Sequence, residues 1–386
     1  MEKFDFRYPV RIHFGSGVAF DALKAELPHY GKNVLLAYGG GSIRRTGLYD
    51  KVVAVLKEAG KNVFDFGGIM SNPTYAKVQE GASIARENNV DFILAVGGGS
   101  VSDCCKIVSA QAKTSEDIWT MEFQERRMPT EFIPMGVIVT ASGTGSEENN
   151  GAVITNEETR QKNGMGGAFA DFAILDADLT KTVPMKQVIS GAFDTLSHCM
   201  ETYFGKPSVN NVSDEINEAV QRNVIRNIRA IKDNPDDDFA RGELMWDSAM
   251  GENGILKNGK KTDFQCHMIE HQLGAYTNCN HGAGLAAIHP ALYRHLLKDN
   301  TGKFARWAEE VWHVDPQGKS AEEVGAAGID ALAGFIKEIG MPSTLSEMGI
   351  TDDAVLRKVA DTAILTPGCA RKLSRDEIYE ILEESK

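Results

Sequence analysis

Phe92-Ile93-Leu94-Ala95-Val96-Gly97-Gly98-Gly99-Ser100-Val101-Ser102-Asp103 joins an unbroken apolar run to a glycine triplet and then to a stretch with helical spacing. An apolar run bounded by glycine reads as a strand buried on both faces, and Asp103, Lys106 and Ile107 read as the start of the helix that follows. The first N–H groups of such a helix have no internal acceptor, and glycine lets an anion approach them closely. Residues 34–38 repeat the device, ending in Gly39-Gly40-Gly41.

Working outward, residues 61–66 and 132–140 read as further strands, with helical patterns at 49–59 and 75–88 between them. Strands that alternate with helices pair in parallel. Residues 1–185 are therefore expected to form an α/β dinucleotide-binding domain built on a Rossmann-like parallel sheet. The strand ending near Thr140 runs into Ala141-Ser142-Gly143-Thr144-Gly145-Ser146-Glu147, a loop of small and hydroxyl residues. The full dinucleotide fingerprint is not met, since Gly97 and Gly99 are followed by Ser102 where a third glycine is usual, so a plain tight turn stands beside the phosphate-binding reading. Two glycine turns and a hydroxyl-rich loop suit an extended dinucleotide better than a single phosphate.

After Pro184 the pattern changes to successive helices, at 186–204, 212–232, 243–255, 263–276, 284–298, 321–339, 352–363 and 374–384. Residues 186–386 are thus expected to form an all-helical domain, with a cleft between the two halves as the natural ligand site.

The helical half carries the most telling chemistry. Asp194 and His198 are four residues apart, as are His267 and His271, and His281 follows ten later. Residues at that spacing are neighbours on one helix face. A single such pair is more often a solvated surface pair or a satisfied core group than a ligand set. Two pairs and a further histidine, set among Ile189, Ala192, Phe193 and Leu196 and before the small residues 282–286, favour a metal cage, because buried charge is costly unless paired or metal-bound. Nitrogen and carboxylate donors suit Zn²⁺ or Fe²⁺, whereas Ca²⁺ takes oxygen alone.

Composition excludes several other classes. The 386-residue chain is 42% hydrophobic and 25% charged, with a formal net charge of −13. This is the profile of a globular protein without a nucleic-acid-binding surface. Six cysteines, at 104, 105, 199, 266, 279 and 369, show neither a disulfide framework nor a paired zinc spacing. Cys199 and Cys266 sit beside candidate ligands, about 100° round a helix from them, and read as packing residues. The first residues have no long apolar stretch, which predicts a cytoplasmic protein with no signal peptide and no membrane span.

Three segments carry a family resemblance: Gly97 to Asp103, Thr140-x-Ser142-Gly143-Thr144-Gly145-Ser146-Glu147, and the set Asp194, His198, His267, His281 with His271. Together they resemble the iron-dependent (group III) alcohol dehydrogenases, and within them the NADPH-dependent butanol dehydrogenase and aldehyde reductase branch. The similarity runs from Phe14-Gly15-Ser16-Gly17 through Ser71-Asn72-Pro73-Thr74 to Ile339-Gly340-Met341-Pro342. It implies the dehydroquinate-synthase-like architecture and a homodimer. It also implies one divalent metal, Fe²⁺ or Zn²⁺, on Asp194, His198, His267 and His281. The dinucleotide site would take in Asn72, Gly97, Gly98, Gly99, Ser100, Asp103, Thr140, Ser142, Thr144, Lys162 and Leu179. His271 matches a position near nicotinamide and substrate, with a structural histidine as the alternative. The implied reaction is hydride transfer between NADP(H) and a short-chain alcohol or aldehyde.

Preference for NADP(H) over NAD(H) is argued from residues. Many NAD-using members place an aspartate at the position of Gly39, where it binds the adenosine ribose and repels a 2′-phosphate. Here Gly39, Gly40 and Ser42 offer N–H groups and a hydroxyl instead, and Arg44 and Arg45 follow. A polyol or polyol-phosphate dehydrogenase or a related lyase shares the architecture, but generally with three ligands and a more basic pocket. A non-catalytic nucleotide and metal sensor fits poorly with intact ligands and glycine turns.

Overall fold

The computed structural model describes residues 2–262, 264–367 and 371–386. Two compact units emerge: Arg7–Pro184, and Met185–Lys386 together with the residues up to Phe6. The N-terminal stretch thus joins the helical unit rather than the sheet unit, and the ring of Phe6 lies over Gly254.

The first unit runs β1 (Arg11–Phe14), α1 (Ala19–Glu26), β2 (Asn33–Tyr38), α2 (Ser42–Arg45), α3 (Leu48–Glu58), β3 (Asn62–Phe66) and α4 (Tyr75–Glu87). It continues with β4 (Phe92–Gly97), α5 (Gly99–Gln111), α6 (Ile118–Phe123), β5 (Met135–Val139), β6 (Gly151–Asn156), β7 (Gln161–Gly166) and β8 (Phe172–Leu175). Six strands form a parallel sheet in the order β1-β8-β5-β4-β2-β3, while β6 and β7 form a separate antiparallel pair. The chain leaves β2 for β3 on one side and returns for β4 on the other, so the order reverses between β2 and β4. In open α/β sheets, ligands bind beyond the carboxyl ends of the strands at such a reversal. Every residue of β4 is buried, as the unbroken apolar run requires. Phe92 is sandwiched between Tyr30 and Phe172, with ring centroids 4.3 and 6.0 Å away.

The second unit consists of α7 (Met185–Tyr203), α8 (Val212–Asp233), α9 (Asp238–Glu252), α10 (Gln265–Thr277), α11 (His281–Leu296), α12 (Thr301–Glu310), α13 (Ala321–Glu338), α14 (Asp353–Thr362) and α15 (Arg375–Glu384). Helix α7 is buried nearly all round in its second half and packs against α8, α9 and α11. Phe204, Tyr293, Phe304 and Trp307 form the aromatic centre of the core, and the Trp307 indole N–H donates to Gln221 at 2.9 Å. A Cβ on Gly282 would lie 2.4 Å from the Ser190 carbonyl oxygen, so glycine is what lets the start of α11 touch α7.

Several boundaries differ from expectation for identifiable reasons. The strand expected over 132–140 begins at Met135, after Pro134, which has no N–H to give to a ladder. Helix α9 starts at Asp238 rather than 243, because the Asp237 carboxylate accepts from the Ala240 N–H at 2.9 Å and caps it. It stops at Glu252, ahead of Gly254 with φ of 90°. The helix expected from 263 is seen from Gln265, and Asp263 itself lies outside the described residues. The short edge strand β1, strand β8, the β6–β7 hairpin and α12 are not anticipated by the sequence reading. Among the described residues, no helix is long and apolar enough to cross a membrane.

Candidate functional site

At the carboxyl edge of the first unit's sheet, adjacent strands deliver the residues that the sequence singles out. Gly39 follows β2, Gly97 ends β4, Thr140 follows β5, and Leu179 lies in a short turn of helix after β8. The Thr140 N–H donates to the Gly97 carbonyl at 2.9 Å, joining the glycine turn to the hydroxyl-rich loop. A Cβ on Gly99 would sit 2.1 Å from the Thr144 hydroxyl, and one on Gly98 would sit 3.2 Å from the Ala141 carbonyl oxygen. The turn is therefore glycine because the loop lies against it, and α5 opens with N–H groups that no side chain caps. Ser100 donates to the Ser71 carbonyl at 2.5 Å, which brings the loop carrying Asn72 to the same edge. Gly40 faces open space, and Ser42 begins α2.

Two implied contacts are engaged inside the unit. Asp103 accepts from the Ser146 hydroxyl at 2.5 Å and from the Val153 N–H at 2.9 Å, so it braces the loop and the hairpin. Burial pushes its carboxyl up, against the charges of Lys106 and Lys162 and these two hydrogen bonds. Lys162 is buried on β7 opposite Thr155. Ser142 and Thr144 are half-buried in the loop. The two arginines part company. Arg44 donates to the Tyr38 hydroxyl at 2.5 and 3.0 Å and to Asp65 at 3.1 Å, with its guanidinium 3.7 Å from the centre of the Tyr49 ring. Arg45 points back, its Nη1 3.9 Å from where a Cβ of Gly41 would lie.

In the helical unit, Asp194, His198 and Glu201 recur at four and three residues along α7, α10 carries His267, Glu270 and His271, and α11 begins at His281. The Asp194 Oδ1 atom is the focus. It lies 3.4 Å from His267 Nε2, 3.4 Å from His281 Nε2 and 3.7 Å from His198 Nε2. Donor atoms of Asp194, His267 and His281 all fall within 4.8 Å of one another, and the His198 ring stacks on His267 with centroids 4.6 Å apart.

Behind the imidazoles stand carboxylates that the sequence reading assigns no role. His267 Nδ1 donates to Glu201 and His281 Nδ1 to Glu270, while His198 Nδ1 lies 3.8 Å from Glu252. Glu201 also accepts the backbone N–H groups of Cys266 at 2.6 Å and His267 at 3.2 Å, capping α10, whose N-cap Phe264 provides no side-chain bond. A carboxylate on Nδ1 fixes the tautomer that aims Nε2 at the centre. The available signal was position: Glu201 lies two turns from Asp194 on one face, and Glu270 lies within the His267–His271 run.

Charge supports the same use. Asp194, Glu201, Glu252 and Glu270 are buried, and the Lys257 ammonium pairs with Glu252 at 2.8 Å. Burial pushes the Asp194 carboxyl up, but the charges of His198 and His281 and hydrogen bonds from His267 and His281 carry it well below its usual range. Burial pushes His267 down, yet Glu201 and Asp194 outweigh it and raise the imidazole to about 10. His281 is likewise raised by Glu270 and Asp194 against burial. For His198 burial prevails over Asp194 and Glu252, and its affinity for a proton falls. A cluster with this excess of buried carboxylates favours positive charge at its centre, which a divalent ion held by the imidazole Nε2 atoms and Asp194 would supply.

His271 is buried one turn beyond His267, its ring 6.0 Å from that of His267 and 5.7 Å from that of His281. Cys199 and Cys266 are buried in the helical core, as their offset from the candidate ligands predicts, and Cys369 lies outside the described residues.

A family model described as iron-containing alcohol dehydrogenase matches residues 9–177, and the C-terminal model of the same family matches residues 188–386. The chain belongs to the iron-containing alcohol dehydrogenase family. It is 38% identical to the probable NADH-dependent butanol dehydrogenase 1 of Bacillus subtilis, over all of both chains. It is 34% identical to the NADPH-dependent aldehyde reductase YqhD of Escherichia coli, again over all of both. The crystal structure of NADH-dependent butanol dehydrogenase A from Thermotoga maritima superposes with a TM-score of 0.93 at 34% identity, covering 99% of this chain and 98% of that one. The chain is thus an NAD(P)-dependent alcohol dehydrogenase, and its family joins a divalent metal to a nicotinamide cofactor.

Proposed function

We propose that this dehydrogenase interconverts short-chain aldehydes and alcohols with NADP(H) as the preferred cofactor, using one Fe²⁺ or Zn²⁺ ion on Asp194, His198, His267 and His281. The observation that carries the reading is the convergence of three Nε2 atoms on the Asp194 carboxylate. The ion supplies Lewis acidity towards the substrate oxygen, and the nicotinamide supplies or takes up the hydride. The chain's own residues do the rest. Glu201 and Glu270 hold their imidazoles in one tautomer, and the glycine turns with Asn72, Ser100, Thr140, Ser142 and Thr144 receive the dinucleotide, backed by Asp103, Lys162 and Leu179. His271 holds or passes a proton beside the reacting oxygen. The enzyme works as a cytoplasmic homodimer.

Relatives named for NADH and for NADPH both match over the full chain, so the cofactor preference rests on the segment from Gly39 to Arg45. Glycine at 39 and 40 removes the carboxylate that would repel a 2′-phosphate. Arg45 is the cation that flanks the turn, since Arg44 is held by Tyr38 and Asp65. Oxidation of NADPH with butanal, set against a phosphorylated ketone, tests the substrate class. Butanal is expected to be the faster substrate by at least tenfold; a preference for the phosphorylated ketone would transfer the chain to the polyol-phosphate reading.

A further inference from the structure

The three carboxylates behind the imidazoles are not equivalent. Glu201 and Glu270 are in direct hydrogen-bond contact with His267 and His281. Glu252 stands 3.8 Å from His198 Nδ1, beyond a hydrogen bond, and its other oxygen is 2.8 Å from the Lys257 ammonium. Lys257 is one-third exposed and follows the turn at Gly254, with its Nζ 5.3 Å from the Phe264 ring, itself beside His198 and His267. A carboxylate that shares its charge with an ammonium is a weaker acceptor for an imidazole N–H, and a weakly backed imidazole is a poorer electron donor.

Resting on the metal-site reading above, we propose that Glu201, Glu252 and Glu270 are positioning residues for the three histidines. In this scheme Lys257, by holding Glu252, makes His198 the ligand that yields the ion most readily. Metal exchange in this enzyme is then governed by a residue that touches neither metal nor substrate. Removing the lysine frees Glu252 to accept from His198, so the loss of a surface charge tightens the site.

The test is chelator-driven release of Zn²⁺ from the zinc-loaded full-length chain, followed with a colorimetric zinc indicator, for wild type, Glu201→Gln, Glu270→Gln, Glu252→Gln, Lys257→Gln and the Glu252→Gln/Lys257→Gln double variant. Circular dichroism confirms that each is folded. Glu201→Gln and Glu270→Gln are expected to release roughly 10- to 100-fold faster, as for other outer-shell partners of metal-bound histidine. Glu252→Gln should accelerate release less, and Lys257→Gln should slow it several-fold. In the Glu252→Gln background the lysine change should have no effect, which separates action through Glu252 from simple charge repulsion between Lys257 and the ion. Release from Lys257→Gln that matches or exceeds wild type, or a slowing that persists without Glu252, overturns the proposal while stoichiometric zinc in wild type leaves the metal site standing. A wild-type chain that takes up no stoichiometric zinc overturns both.

Discussion

Replacing His267 with alanine is expected to abolish tight metal binding and to lower turnover by several orders of magnitude. His267 contacts two members of the cluster, with Nε2 3.4 Å from Asp194 Oδ1 and its ring stacked on that of His198. The next imidazole along α10, His271, lies a further turn on and groups with Glu270 and His281 rather than with Asp194. The change also leaves Glu201 with backbone N–H partners but without the imidazole, a buried carboxylate that has lost part of its compensation. The first unit shares none of these residues and should still bind nucleotide, which fluorescence titration with NADPH would show. Metal content and aldehyde reduction in the purified variant are the readouts; unchanged values for both would remove His267 from the site.

Gly39→Asp is expected to reverse the cofactor preference. The carboxylate would stand where the 2′-phosphate is proposed to lie, at the end of β2 beside the reversal in strand order. A like-charge contact there costs on the order of several kcal/mol. NADH, with a ribose hydroxyl that can donate to the new carboxylate, should lose little or gain. Space allows the change: the new Cβ would lie 3.3 Å from the Ile69 carbonyl oxygen and 3.8 Å from Val101, which asks for a shift of a few tenths of an ångström. Arg44 is already turned towards Tyr38 and Asp65, so Arg45 is the cation whose pairing would change. kcat/KM for both cofactors before and after the substitution decides the matter. A wild type that prefers NADH, or a variant that retains full NADPH preference, would reduce the 39–45 segment to a glycine-rich turn.

The parts of the fold that could be read from sequence are those in which one signal dominates. The run 92–96 is apolar without interruption because β4 is covered on both faces, and the adjacent glycines mark a turn that Thr144 crowds. Strand β1, four half-exposed or exposed residues at the sheet edge, carries no comparable pattern, and β8 is too short to stand out. The β6–β7 hairpin, Gly151–Asn156 with Gln161–Gly166, is rich in polar residues and glycine, so strand alternation is faint there. The histidines and Asp194 were legible because helical spacing places them on common faces. Glu252 was not, because its approach to His198 depends on how the end of α9 meets α7, and no spacing within one helix encodes that. Arg44 marks the opposite limit: it looks free in sequence, yet the phenol of Tyr38 and the carboxylate of Asp65 claim it.

The most direct measurement is the count of divalent metal per chain in protein purified without oxygen, with NADPH-dependent reduction of butanal followed in the same samples before chelation, after chelation and after reloading with Fe²⁺ or Zn²⁺. The cluster around Asp194 predicts one ion per chain, a rate that falls in proportion as the ion is withdrawn, and recovery on reloading. Full activity in chains stripped of metal would contradict it.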